Sequence, residues 1–373
     1  MHNRMKDDMS SALSLGLDVG STTVKAVVVD EDEIVFSDYR RHNADVRGEL
    51  ANLLRDVQAH FPSDPVKVAI TGSGGLGVAK AMGVQFVQEV IAATAAIEHL
   101  NPEVDVIIEL GGEDAKITYL HPVPEQRMNG TCAGGTGAFI DQMATLLKVD
   151  AAGLNSLAAD YQNLYPIASR CGVFAKSDVQ PLLNQGAAHS DIAASVFQAV
   201  ATQTVAGLAC GHPIRGKVIF LGGPLHFLPE LRAAFVRALG ENVDEYITPD
   251  NGQLYVALGA AYSAMGPALS LPHLAAGLEA ANQIAVTTRS MRPLFVDAAE
   301  RAEFDTRHAQ AAVPIGSMAD VSGPVWLGID AGSTTIKSVV LDAEGTIVFS
   351  TYGSNKGDPT AAAVNIAREV IAA

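Results

Sequence analysis

Several residue types are scarce in this 373-residue chain, and each scarcity excludes a class of protein. Three cysteines are too few for a disulfide framework. Lysine and arginine number 25 against 41 acidic residues, which argues against broad nucleic-acid binding because phosphate contacts need clustered cations. The start, MHNRMKDDMSSALS, lacks the features of a signal peptide, and no uninterrupted apolar run reaches the length of a membrane span. We therefore expect a cytoplasmic protein with neither nucleic acid nor membrane as a partner.

Aromatic residues make up only 6% of the chain, although 48% of it is hydrophobic, so the core is expected to consist of aliphatic side chains. Glycine is abundant instead, with 34 residues, which suits tight turns and close backbone approaches. The phosphate-binding pattern GxxxxGK[ST] is absent. GSGGLG at 72–77 matches a dinucleotide fingerprint only loosely, without a supporting acidic residue.

One sixteen-residue stretch occurs twice. LGLDVGSTTVKAVVVD at 15–30 returns as LGIDAGSTTIKSVVLD at 327–342, so that Asp18 corresponds to Asp330 and Lys25 to Lys337. A repeat distance of 312 residues indicates a duplicated domain, since solenoid units are only tens of residues long. Because the second copy ends soon after it starts, inside a helical pattern, we interpret the chain as part of a longer protein.

Strand-like and helix-like stretches alternate along the chain, which predicts an α/β fold. Residues 15–40 are predicted to form a hairpin and a third strand, 47–60 a helix, and VDVIIELGG with AKITYL two paired strands. Helices are predicted to dominate from residue 136 to 211. We predict a complete module at 13–265, a connector at 266–323, and the first strands and helix of a second module at 324–373.

Three glycine-rich turns follow predicted strands. They are Asp18-Val19-Gly20-Ser21-Thr22-Thr23, Glu109-Leu110-Gly111-Gly112-Glu113-Asp114 and Leu221-Gly222-Gly223-Pro224. Turns of the first two kinds bring backbone N–H groups against phosphate oxygens while the carboxylate holds hydrated magnesium. A Gly-Gly turn at a helix start allows close approach by a nucleotide. One such turn alone is typical of an ordinary hairpin, but three in this order predict a nucleotide site.

These turns resemble the two phosphate motifs and the adenosine motif shared by actin, sugar kinases, acetate kinase and heat-shock chaperone ATPases. The resemblance covers residues 14–265 and implies two ribonuclease-H-like domains that close on Mg²⁺ and ATP or ADP. It implies that Asp18 and Glu109 hold magnesium through water. The implied catalytic residues are Asp18, Glu109, Glu113 and Asp114, and which of the last three orients the attacking water stays open. The implied nucleotide-binding residues are Gly20, Ser21, Thr22, Thr23, Lys25, Gly111, Gly112, Gly134, Gly135, Thr136, Gly222, Gly223 and Pro224.

Two cysteines precede predicted helix starts, Cys132 in NGTCAGGTGAFIDQMA and Cys171 in SRCGVFAKSD. A helix N-terminus stabilises the thiolate, which is the form that ligates metal. Two cysteines are half the set that an iron–sulfur cluster ordinarily needs, and a two-fold homodimer would supply four. Cys210 matches no motif and is expected to be a packed helical residue. The histidines, His42 among them, show no metal-ligand spacing and are expected at the surface or at helix ends.

CAGGTGAFID and CGVFAKSD resemble the activators of 2-hydroxyacyl-CoA dehydratases and the ATPase subunits of benzoyl-CoA reductase. The resemblance implies that Cys132 and Cys171 of two subunits hold one [4Fe–4S] cluster, and that ATP hydrolysis drives low-potential electron transfer. The implied electron donor is a ferredoxin or flavodoxin, and the implied acceptor is a dehydratase-like iron–sulfur protein or region. The duplication is similar to a long subgroup of this family. Members commonly carry glutamine where this chain has Glu113, so slower hydrolysis is expected.

Two other functions remain open at this level. A sugar or small-acid kinase of the same superfamily would need a catalytic aspartate in a sugar-recognition segment, and we find no convincing one. The kinase would also leave both cysteine motifs unexplained. The second alternative is a nucleotide-binding regulatory module without redox activity. The activator function is therefore the main prediction.

Overall fold

The computed structural model describes residues 13–130, 134–168, 172–282 and 291–373. The chain forms two compact units, which are described separately below. The first comprises the described residues of 1–176 and 189–285, and the second those of 177–188 and 286–373.

The first lobe of the first unit is a five-stranded sheet with three helices that follow its strands. The strands are β1 (Leu13–Val19), β2 (Thr23–Asp30), β3 (Glu33–Arg41), β4 (Val66–Thr71) and β5 (Gln85–Phe86), in the spatial order β3-β2-β1-β4-β5. β1 pairs antiparallel with β2 and parallel with β4. The helices are α1 (Val46–His60), α2 (Gly75–Met82) and α3 (Glu89–Leu100). Asp45 caps α1 by accepting a hydrogen bond from the backbone of Gly48 at 3.0 Å.

The second lobe repeats this topology. Its strands are β6 (Val106–Leu110), β7 (Ala115–Tyr119), β8 (Glu125–Met128), β9 (Gly216–Leu221) and β10 (Val243–Ile247), ordered β10-β9-β6-β7-β8. The helices are α4 (Gly137–Leu146), α5 (Ala151–Ala158), α6 (Gly172–Asn184), α7 (His189–Ala209), α8 (Gly223–Phe227) and α9 (Pro229–Leu239), and α6 continues past residue 176 into the residues of the second unit. In each lobe a hairpin is followed by parallel strands, the arrangement of a ribonuclease-H-like domain. The predicted fold class is thereby confirmed.

Two C-terminal helices of the first unit return to the first lobe. α10 (Tyr255–Tyr262) packs on β1, β2, β4 and α3, and α11 (Leu271–Asn282) packs on α1 and α2. α10 lies so close that a methyl group on Gly16 would overlap the Ala257 backbone, and one on Gly259 would overlap the Ala92 backbone. Glycine and alanine at this contact allow helix and sheet to approach at backbone distance.

Helix α11 was not predicted from the sequence. Residues 266–323 were expected to be a connector, but Leu271, Leu274 and Leu278 are buried in the same core as Leu15 and Leu50. Burial of one such leucine stabilises the fold by about 1.5–3 kcal/mol, so α11 is part of the first lobe.

The second unit contains helix α12 (Ala298–Ala309), then β11 (Trp326–Ala331), β12 (Thr335–Leu341), β13 (Ile347–Ser354) and α13 (Pro359–Ala372). The three strands form one antiparallel sheet in chain order. β11 is exposed along its length, and Trp326 is 56% exposed, although the corresponding β1 is buried from Leu15 to Val19. The difference follows from the absence, in the described residues of this unit, of a strand beside β11.

One helix in the described part of the chain is long and apolar enough to cross a membrane. This helix is α7, and 67% of its most apolar window is buried within the structure. Its burial against α9 and α5 is what a core helix requires, so it is weak evidence for a membrane span.

Candidate nucleotide site

The two lobes face each other across a cleft that contains most of the predicted nucleotide residues. Thirteen predicted residues line it: Asp18, Gly20, Ser21, Thr22, Thr23, Lys25, Glu109, Gly111, Gly112, Asp114, Gly222, Gly223 and Pro224. Seven further lining residues were not predicted: Tyr39, Ser73, Glu89, Lys116, Gly252, Gln253 and Val256. The three glycine-rich turns therefore converge on one site.

Each phosphate hairpin pairs a carboxylate with a lysine on the neighbouring strand. Asp18 lies opposite Lys25 in the β1–β2 ladder, with 2.5 Å between carboxylate and ammonium. Glu109 lies opposite Lys116 in the β6–β7 ladder, at 3.2 Å. Burial alone would lower the pKa of Lys25, but the carboxylate of Asp18 outweighs burial and raises it above its ordinary value. The cleft thus contains two charged lysines, each held by a buried carboxylate.

Lys116 also reaches across the cleft. Its ammonium donates to the carboxylate of Glu89, which begins α3 in the first lobe. Burial tends to lower the pKa of Lys116, but Glu109 and Glu89 together raise it strongly. Burial raises the pKa of Glu89, and the attraction of Lys116 offsets this only in part. Lys116 therefore connects the Glu109 carboxylate of the second lobe with Glu89 of the first lobe.

Glycines let the turns approach one another. A methyl group on Gly112 would overlap the side chain of Thr22, and one on Gly223 would overlap the Tyr39 hydroxyl. Gly222 has a φ of +89°, which favours glycine, and its α carbon lies against the Leu110 carbonyl. Side chains of the first lobe, Thr22 and Tyr39, consequently lie directly against the glycine turns of the second lobe.

The wall near Gly222 has an unsatisfied acceptor. The Gly222 N–H donates to the Gly252 carbonyl at 3.0 Å, which places residue 253 beside the adenosine-type turn. The side-chain oxygen of Gln253 is buried and finds no hydrogen-bond partner among the described residues. Buried acceptors are normally paired, so this atom is positioned to accept a hydrogen bond from a bound molecule.

The second phosphate turn is joined to α4 by backbone hydrogen bonds. The Gly137 N–H donates to the Gly111 carbonyl at 3.0 Å, and the Ala138 N–H donates to the Gly112 carbonyl at 2.7 Å. α6 begins at Gly172, where a methyl group would overlap the Gln142 side chain of α4. A change in the position of the phosphate turn would therefore change the positions of the first residues of α4 and α6.

Some predicted residues lie elsewhere. Glu113 is exposed and does not line the cleft, and Gly134, Gly135 and Thr136 precede α4 without lining it. Cys132 and Cys171 lie outside the described residues. Among the described residues no group of three or more histidine, cysteine or acidic side chains could hold a metal ion. Magnesium would therefore need phosphate oxygens and water as further ligands, which is how it commonly binds with nucleotides.

Two expectations for single residues were wrong. Cys210 is exposed, not packed; it follows the end of α7 with a φ of +47°, and its thiol donates to the Gly207 carbonyl at 3.1 Å. His42 is neither a surface nor a helix-end residue, because it is only 4% exposed and its ring contacts the Gly20 carbonyl at 3.3 Å.

Two ribonuclease-H-like lobes with three converging glycine turns define an actin-like ATPase. A family model supports this directly: residues 15–264 match the BadF/BadG/BcrA/BcrD ATPase family, and the chain belongs to that family. It is accordingly an ATP-hydrolysing enzyme.

Relatives with a named activity are similar in sequence to about two thirds of this chain. The chain is 32% identical to a 2-hydroxyisocaproyl-CoA dehydratase activator of Clostridioides difficile over 68% of this chain and 96% of that one. It is 29% identical to an (R)-2-hydroxyglutaryl-CoA dehydratase activating ATPase of Acidaminococcus fermentans, over 67% and 96%. The crystal structure of component A of the (R)-2-hydroxyglutaryl-CoA dehydratase of A. fermentans superposes with a TM-score of 0.62 at 30% identity, over 68% of this chain and 98% of that one.

A second structure adds a nucleotide. The activator of 2-hydroxyisocaproyl-CoA dehydratase from Clostridium difficile, with bound ADPNP, superposes with a TM-score of 0.59 at 28% identity. The superposition covers 74% of this chain and 99% of that one. ATP binding by this fold is thus supported independently of the sequence motifs.

Proposed function

We propose that this ATPase is an activator that couples ATP hydrolysis to the transfer of low-potential electrons onto a dehydratase-like iron–sulfur partner. The relatives are named as activators of dehydratases, which supports a partner of that class. In the proposal, Cys132 and Cys171 of two subunits share one [4Fe–4S] cluster. A reduced ferredoxin or flavodoxin supplies one electron at a time, and the partner accepts it.

The observation that carries the proposal is the backbone connection between the second phosphate turn and α4. Cys132 stands five residues before Gly137, the first residue of α4, and Cys171 immediately precedes Gly172 of α6. Gly137 is hydrogen-bonded to Gly111 of the phosphate turn, and Gly172 lies against Gln142 of α4. Because both cysteines are adjacent in sequence to residues coupled to the turn, movement of the turn would be transmitted to both.

The nucleotide would lie across the cleft. Its phosphates would face the hairpin turns at Gly20 and Gly111, and its adenosine the turn at Gly222 and Gly223. Asp18 and Glu109 would hold hydrated Mg²⁺, while Lys25 and Lys116 would balance phosphate charge. The cleft lining has four carboxylates, Asp18, Glu89, Glu109 and Asp114, against these two lysines, which suits a metal cation. Asp114 lines the cleft whereas Glu113 does not, which favours Glu109 or Asp114 as the group that orients water.

The chemistry of the donor set fits a shared cluster. Thiolates are the usual ligands of iron–sulfur clusters, which ordinarily take about four of them, and one chain supplies two in these motifs. A bound cluster would take up and release single electrons. The chain would hold it through Cys171, which immediately precedes α6 and would have its thiolate stabilised by that helix N-terminus, and through Cys132, five residues before α4.

The decisive experiment is anaerobic purification followed by iron and sulfide analysis. We expect brown protein with about four irons per dimer. The Cys132→Ser and Cys171→Ser variants should each lose the iron, whereas Cys210→Ser, a matched change at an exposed cysteine, should retain it. Equal iron content in all three variants would refute the assignment of ligands.

The coupling has its own test. Addition of Mg-ATP to the dithionite-reduced protein should change its electron paramagnetic resonance spectrum and permit electron transfer to a purified dehydratase-like protein. ADP alone should not permit that transfer. Colourless anaerobic protein that phosphorylates a sugar or a small acid would overturn the proposal in favour of a kinase.

A further inference from the structure

His42 makes an unusual set of hydrogen bonds for a buried histidine. Its backbone N–H donates to the Thr22 carbonyl at 3.2 Å. Its ring nitrogen Nδ1 accepts from the Ala44 N–H at 3.1 Å, and Nε2 lies 3.3 Å from the Gly20 carbonyl oxygen. Because Nδ1 accepts, the ring hydrogen is on Nε2, which donates to Gly20.

The second unit has the same arrangement with a different side chain. The Asn355 N–H donates to the Thr334 carbonyl at 3.1 Å, and its Nδ2 donates to the Gly332 carbonyl at 2.7 Å. Its Oδ1 accepts from the Gly357 N–H at 2.9 Å. Gly20 and Gly332 each also donate to the carbonyl three residues on, at 2.9 Å in both units. The hydrogen-bonding pattern of the turn is therefore identical in the two copies.

Histidine and asparagine share only one relevant property here. Each side chain presents one donor and one acceptor. The donor bonds to the carbonyl of the turn glycine, and the acceptor bonds to the N–H group two residues after the histidine or asparagine itself. The backbone that carries them is also alike, with left-handed φ at Asn43 and Ala44 and at Lys356 and Gly357. Since the two side chains differ in size and shape while the bonds persist, the hydrogen bonds are the common requirement.

We propose that His42 is a positioning residue that holds the Gly20 carbonyl turned away from the nucleotide phosphates. Gly20 lines the cleft, and a carbonyl oxygen rotated toward a phosphate would repel it, whereas N–H groups attract it. The donor on His42 fixes one orientation of this peptide group. Asn355 is the equivalent of His42 in the turn of the second copy.

The inference rests on the proposed placement of phosphates at Gly20, and phosphate-dependent binding therefore tests it. The His42→Ala and His42→Leu variants should bind ADP about tenfold more weakly than the parent protein, the effect of one lost hydrogen bond at the site. Their affinity for adenosine, which has no phosphates, should be unchanged. The His42→Asn variant should restore ADP affinity to within about twofold of the parent value, because it supplies the same donor and acceptor.

Titration calorimetry of ADP and adenosine measures each outcome. Equal weakening of both ligands in the alanine and leucine variants, or failure of the Asn variant to restore ADP binding, would overturn the positioning function. The Lys25→Met variant is the reference: it should weaken ADP binding and leave adenosine binding alone. If Lys25→Met leaves ADP binding unchanged, the phosphates do not lie at this hairpin, and the placement fails together with the inference.

Discussion

Glu89 on the first lobe and Lys116 on the second form a partly buried ion pair across the nucleotide cleft. The Lys116 side chain is 6% exposed, and it donates to Glu109 of its own lobe as well, at 3.2 Å. The two acidic partners belong to different lobes, Glu89 to helix α3 and Glu109 to strand β6, so one ammonium group bonds to a carboxylate of each lobe. Closure of the cleft and charge balance are consequently linked through Lys116.

Substitution of Lys116 should lower the free energy of unfolding substantially. The Lys116→Met variant leaves the buried Glu109 and the partly buried Glu89 without a cation, and we expect a loss of about 3–5 kcal/mol in the free energy of unfolding, measured with urea. The control is Lys217→Met, which breaks the exposed pair with Glu245 at 3.1 Å and should cost less than about 1 kcal/mol. Similar losses of unfolding free energy in the two variants would contradict the conclusion that Lys116 stabilises the fold through Glu89 and Glu109.

The contact between Gly112 and Thr22 should exclude side chains larger than that of glycine at position 112. A methyl group there overlaps the Thr22 side chain, so Gly112→Ala should separate the lobes and lower ATPase activity by at least about tenfold. Gly77→Ala on α2, where a methyl group meets nothing within 4 Å, is the matched control and should retain full activity. Wild-type turnover by Gly112→Ala would show that the lobes need not meet at this point.

The unpaired oxygen of Gln253 should contribute to nucleotide binding. Gln253→Leu removes an acceptor that has no protein partner among the described residues, so ATP affinity should fall about three- to tenfold. The free energy of unfolding without nucleotide should stay equal or rise. Calorimetry and urea denaturation measure the two quantities, and a loss of stability without a loss of affinity would assign Gln253 to the fold instead.

Ala44 occupies a backbone conformation that suits glycine, with a φ of +70°, and the second copy has Gly357 there. Ala44→Gly should stabilise the first unit by up to about 1 kcal/mol, because the strain of a left-handed alanine exceeds the entropy cost of glycine. The same substitution within α1, Ala51→Gly, should destabilise by about 1 kcal/mol. Thermal unfolding distinguishes the signs; destabilisation by both would refute the strain.

The charge of the cleft lysines should be constant well into the alkaline range. The pKa values of Lys25 and Lys116 are both raised above the ordinary 10.5, so neither loses its proton between pH 7 and about 10. Their contribution to stability is full below the unfolded-state pKa and is lost only as pH rises through the higher folded-state pKa. ATP affinity should therefore show no lysine-dependent decline in that window. A decline centred below pH 10 that Lys25→Met abolishes would contradict this.

Local sequence alone was sufficient for the hairpins and turns. Asp18 and Lys25 face each other because a seven-residue separation around a tight turn places them opposite in a two-stranded ladder. The same separation between Glu109 and Lys116 is visible in ELGGEDAK and was the available signal for Lys116. The leucine spacing 271, 274 and 278 likewise indicated α11, but the segment is short and has Pro272 near its start.

Only the tertiary structure decided three features of the site: the position of Glu89, the position of Gln253 and the buried environment of His42. Each is remote in sequence from the turn it contacts, and its own neighbours carry no periodic or motif signal. Hydrogen-bonding pattern and hydrophobic period act over a few residues and therefore specify strands, helices and turns from the sequence. Which side chain meets which turn depends on how distant segments bury apolar surface together, and that choice exists only once the two lobes have folded and met.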